Sequence, residues 1–138
     1  MNSIIRHIAV AASSGLFALI TVPLAIELLS ALSFGDDSPV LSFTLMAAGV
    51  STILWFILSL ILKNPRLQKW LILGFASPLL GIPIFYIALG AQSSASLSES
   101  LFFGILATGF LSWIFIPLGI LNGVLSHFVT ISVNRSNA

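Results

Sequence analysis

Four long runs of apolar residues, separated by three short polar breaks, organise this chain. The runs cover about residues 8–34, 40–62, 70–91 and 101–131. None alternates polar with apolar residues, so none reads as a barrel strand. A helix needs about 20 apolar residues to cross a bilayer core of about 30 Å, and every run reaches that length. A segment in lipid must satisfy its own backbone groups, which a helix does. The pattern therefore predicts an all-α integral membrane protein, one domain over residues 1–138 with four transmembrane helices. The fourth run, at 31 residues, would reach roughly 46 Å as a straight helix. It is expected to tilt, bend or project beyond the membrane. Pro117, near its middle, is the expected bend.

The breaks decide how the helices run. Residues 35–39 (Gly-Asp-Asp-Ser-Pro) have the composition of a tight turn. Residues 63–69 form a basic break, and residues 92–100 a polar, serine-rich one. Short connections force neighbouring helices to be antiparallel, which predicts an up-down-up-down bundle.

Charge then orients the bundle. The basic residues are Arg6, the cluster Lys63, Arg66 and Lys69, and Arg135; Asp36, Asp37 and Glu99 occupy the other two breaks. Positive residues stay on the cytoplasmic side of an inserted protein. All five agree on one orientation, with both termini cytoplasmic, as in a bacterial inner (plasma) membrane protein. Lys63, Arg66 and Lys69 are candidate contacts for anionic headgroups, besides fixing topology. The N-terminal run has the look of a signal peptide but is too long and lacks a good cleavage site, so it reads as a retained span.

Composition narrows the function classes. Hydrophobic residues make up 58% of the chain and charged residues 7%, against about 25% charged in soluble domains. The basic residues are few and separated, with no stripe to follow phosphates, so no nucleic-acid partner is expected. The absence of cysteine excludes disulfides, thiol catalysis and thiolate metal sites. His7 and His127 are distant and lack an acidic partner, so no metal is expected. No nucleophile–base–acid set or phosphate loop is present, so neither an enzyme nor a cofactor is expected.

A shift of 60 residues makes the halves resemble each other. Leu19 meets Leu79, Pro23 meets Pro83, Phe43 meets Phe103 and Gly49 meets Gly109, without a gap. Membrane helices use few residue types, so composition alone is the competing explanation. A true duplication would be a parallel two-helix repeat, with a substrate path at the repeat interface as in some transporters. Pro23, Pro83 and Pro117 are the candidate hinges.

Three sets of residues carry candidate chemistry. Glu27 is a carboxylate inside an apolar run, a costly placement. It is either a proton- or cation-binding group or a hydrogen-bonded structural one, with Tyr86 at similar depth as its expected partner. Gly119 and Gly123 form G-x-x-x-G, continued by Ser126, a smooth face for packing within the bundle or between chains. Gly49 and Gly109 join this set of packing positions. Asn122 and His127 are polar groups near the cytoplasmic end of the fourth run. Trp70 reads as an interface anchor, and Trp55 and Trp113 as packing residues.

The leading expectation is a non-enzymatic accessory, assembly or interaction subunit, whose partners are the lipid bilayer and other membrane helices, its own or another protein's. The alternative is a small dimeric transporter or permeation module using Glu27. Four spans with a carboxylate in the first resemble the plan of small multidrug-resistance exporters, in architecture alone. The chain is longer, Glu27 lies further along its helix, and no motif matches. An immunity-type membrane protein is a third reading.

Overall fold

A computed structural model describes residues 2–31, 40–62 and 66–136. The 35–39 turn, Lys63 and the expected end of the first span beyond Ala31 lie outside the described residues. Four helices account for nearly all of the rest: α1 (Asn2–Ala31), α2 (Val40–Ile61), α3 (Leu67–Gln92) and α4 (Leu97–Ser136). All four are long and apolar enough to cross a membrane. They pack together in an arrangement compatible with a four-helix bundle.

The contacts give the direction of each helix. His7 bonds to Ser59 and Ser51 to the Ser14 carbonyl, so α1 and α2 are antiparallel. A Cβ built on Gly74 would meet the Gly119 carbonyl oxygen, and one on Gly104 the Pro83 backbone, so α3 and α4 are antiparallel. Rings of Phe43 and Phe85, and of Trp55 and Trp70, pair α2 with α3 in the same sense. The α3–α4 interface is the most extensive, then α1–α2, and α1–α4 and α2–α3 close the ring. Among the described residues the diagonal pairs α1/α3 and α2/α4 do not approach each other. This order brings Arg6, Arg66, Lys69 and Arg135 to the end that carries the termini, and Glu27 and Glu99 to the opposite end.

Several boundaries differ from the sequence expectation. Helix α1 begins at Asn2 and α3 at Leu67, both before the expected spans, and α4 extends beyond its span at both ends, unbroken for 40 residues, about 60 Å. Pro117 lies inside α4 with its ring exposed, and the helix continues through it although the proline leaves one backbone bond unmade. The start of α4 is fixed by a reciprocal pair of bonds. The Ser96 hydroxyl accepts the Glu99 N–H at 3.3 Å, and the Glu99 carboxylate accepts the Ser96 N–H at 3.0 Å. This capping box satisfies two backbone donors that a helix start leaves free. Ser96→Ala should cost about 1 kcal/mol; faster hydrogen exchange at the Glu99 amide is the measurement.

The interior is small and partly polar, while the outside is apolar. Ser14, Ser59, Ser126 and Thr130 are fully or almost fully buried, whereas Leu16, Ile20, Leu24 and Leu121 point outward. The helices are apolar all round, so the inward face is set by small residues that permit close approach. Gly74 and Gly119 are the closest approach of backbone to backbone, each lying against the other's main chain.

Candidate functional site

The ring order leaves a partly open cavity of about 660 Å³ between the helices, with the largely exposed Phe110 and Trp113 among its lining residues. Its volume falls within the range typical of small-molecule sites, about 300–1,000 Å³. All four helices line it, with Phe17, Ile26, Leu54, Phe85, Leu89 and Phe115 among the apolar walls. No charged side chain is among its lining residues. Along α1 it extends from Phe17 to Leu29, about 18 Å of helix. Toward the termini, the Trp55 and Trp70 rings stack at 6.1 Å and 15°. With Val10 and Leu62 they form a packed cluster, flanked by Leu73 and Val129. Trp55 belongs both to this plug and to the cavity wall.

The polar groups of the walls are mostly engaged. Thr21 donates its hydroxyl to Phe17 O at 2.9 Å, and Ser77 to Gly74 O at 3.1 Å. Ser51 donates to Ser14 O at 3.4 Å. Asn122, only 3% exposed, donates its Nδ2 to the Ser14 hydroxyl and so ties α4 to α1. Its Oδ1 is buried without a partner. Toward the termini, Arg6 faces His7 Nε2 at 3.3 Å, and His7 Nδ1 lies 2.9 Å from the Ser59 hydroxyl. Ser59 donates to Phe56 O at 2.8 Å. Its proton is therefore spent, and the chain closes with Arg6 donating to Nε2 and the neutral ring donating from Nδ1.

The cavity positions follow the 60-residue shift. On α1 they are Phe17, Ala18, Thr21, Val22, Ile26 and Leu29. Their counterparts on α3, Ser77, Pro78, Gly81, Ile82, Tyr86 and Leu89, also line it. On α2 and α4 the shift holds in part: Val50/Phe110, Ser51/Leu111 and Trp55/Phe115 pair, whereas Phe43, Ala47 and Leu54 have no lining counterpart.

Several residues singled out from the sequence are placed differently. Glu27 is exposed and lies outside the cavity, while Tyr86 lines it, so the expected pair is not assembled. Two residues after the buried Ala25, Glu27 is turned about 200° away from that face. Trp70, expected at the interface, is 1% exposed; Trp113, expected in packing, is 61% exposed. Stacking on Trp55 explains the first; Trp113 stands at the open edge of the cavity, which it lines. Gly119 and Gly123 sit against α3 at Gly74 and Trp70. Ser126 is fully buried on the same stretch of α4. Gly49 and Gly109 face open space. Pro83 packs on Gly104, Pro23 is within α1, and Arg66 and Lys69 are exposed at the start of α3. Among the described residues no cluster of metal-ligating side chains occurs.

The 60-residue shift points to a path at the repeat interface, and a second sequence signal of the cavity is Asn122, a carboxamide in an apolar run, whose partner Ser14 is 108 residues away. Comparison with known proteins finds no matching family model, no matching curated protein and no matching solved structure.

Proposed function

We propose that this chain is a non-enzymatic integral membrane protein that holds a lipophilic small molecule inside its helix bundle. The observation that carries the reading is the cavity, framed by all four helices and walled almost wholly by apolar side chains. The plug of Trp55, Trp70, Val10 and Leu62 favours binding over conduction, since it fills the end toward the termini. We further read the chain as N-in and C-in in a bacterial inner membrane, on the strength of its sorted charges. The shared register of α1 and α3 supports a duplicated helical hairpin, with the cavity on the axis relating the halves.

The test is labelling of the purified chain in nanodiscs with an apolar, carbene-generating diazirine. Adducts at Thr21 and Ser51, inside the cavity, are expected beside those at the outward Leu16 and Ile20. Gly81 has only Leu54 Cδ2 near its open side, at 3.5 Å. Gly81→Phe should therefore fill the cavity and remove the inner adducts, at least tenfold, while outer ones persist. Glu27→Gln should change neither set. Adducts confined to outward residues would sink the reading.

An interaction subunit remains the second reading, favoured by one observation. Gly49 and Gly109 lie at equivalent positions on exposed faces of α2 and α4. Another helix, from a second copy or a different protein, could approach closely there.

A further inference from the structure

The polar groups of the cavity differ in what they can still offer a ligand. The hydroxyls of Thr21, Ser51 and Ser77 have given their protons to backbone carbonyls. The Asn122 Nδ2 is engaged by Ser14. Apart from the second Nδ2–H of Asn122, what these four side chains retain is acceptor capacity, and among them the Asn122 Oδ1 is the buried acceptor with no partner. A buried acceptor left unpaired costs free energy that a ligand donor would recover. No charged side chain lines the cavity, so a cationic donor would enter without a counter-charge, an expensive placement.

We infer that the cavity selects an uncharged amphiphile with a hydroxyl or amide N–H head, which donates to Asn122 Oδ1, and an elongated apolar body. The inference rests on the binding reading above and adds the ligand's chemistry and direction. Asn122 lies level with Ser14 and Ser51, toward the plugged end. Leu29, Phe43 and Leu89 lie at the other end, beside the edge-to-face pair of Phe43 and Phe85. The head therefore points toward the termini, and the apolar body follows the helices toward the 92–100 connection. Tyr86, on the wall of that far half, is the one phenol on the ligand's path.

Three photoactivatable probes with the same long alkyl chain test this on the full chain in nanodiscs: the primary alcohol, its methyl ether and its trimethylammonium analogue. The alcohol should label cavity peptides about tenfold more than the ether, as one recovered hydrogen bond allows, and more than the ammonium. Asn122→Leu should abolish the preference for alcohol over ether while retaining labelling. Ser14→Ala, which leaves the Asn122 oxygen in place, should keep it. Should Asn122→Leu fail to fold, the comparison of alcohol and ether on the native chain decides alone. Equal labelling by alcohol and ether, or strongest labelling by the ammonium, overturns the inference and leaves the binding reading standing. Absence of cavity labelling by all three overturns both.

Discussion

Gly119→Leu is expected to destabilise the folded chain by about 3 kcal/mol, near the upper end for overpacking. A Cβ at this position meets the Gly74 carbonyl and lies 2.7 Å from Pro78 Cγ. Neither neighbour can yield. One is backbone in the middle of a helix, and the other is a rigid ring whose Cδ lies 2.9 Å from the same Cβ. Helices α3 and α4 must then separate along their most extensive interface. The measurement is a thermal or denaturant melt in detergent, with Gly49→Leu as the control, since nothing lies within 4 Å of its Cβ. A melt for Gly119→Leu indistinguishable from that of the native chain would show that α3 and α4 do not meet at these glycines. Because the face is consumed within one chain, the loss should appear in the monomer.

Trp70→Ala should cost about 3–5 kcal/mol, the range for deleting a buried large aromatic. The ring is almost wholly buried and stacks on Trp55. Removing it opens a void between the plug and the cavity floor. Trp113→Ala, at an exposed position, should cost much less. The pair of variants separates two roles that composition treats alike. A tryptophan anchoring the bilayer interface would be tolerant of truncation in detergent, whereas a tryptophan filling the plug would not. Near-ultraviolet circular dichroism gives a second readout, since loss of the stacked pair removes a rigid aromatic environment.

The helices were legible from the sequence because length and apolarity alone define them. Their facing was not. A helix apolar on every side carries no stripe, so the sequence marks the interior through small residues rather than large ones. Ser14, Ala18 and Ala25 mark the buried face of α1, and a helical wheel through them turns Glu27 outward. Its depth along the helix was readable, but its direction depended on that wheel. Trp70 misled for a related reason. Position beside a basic break suits an anchor, and only the neighbour Trp55, 15 residues away on α2, makes it a packing residue. Gly119 and Gly123 announced a close contact without saying with whom, since spacing is the same for an internal partner and an external one. The volume and extent of the cavity lay beyond sequence reasoning because they depend on how far apart the diagonal helices are held.

That open centre also bears on the order in which the chain assembles. The bonds inside the first hairpin join residues 37 and 52 apart, whereas the Asn122–Ser14 bond between hairpins spans 108. Loop closure grows costlier with separation, and local contacts form sooner. Each hairpin can thus consolidate soon after synthesis, and the seam between the two forms last. The chamber comes into being only at that final encounter. Until then its walls are two separate faces, one carried by α1 and α2 and the other by α3 and α4.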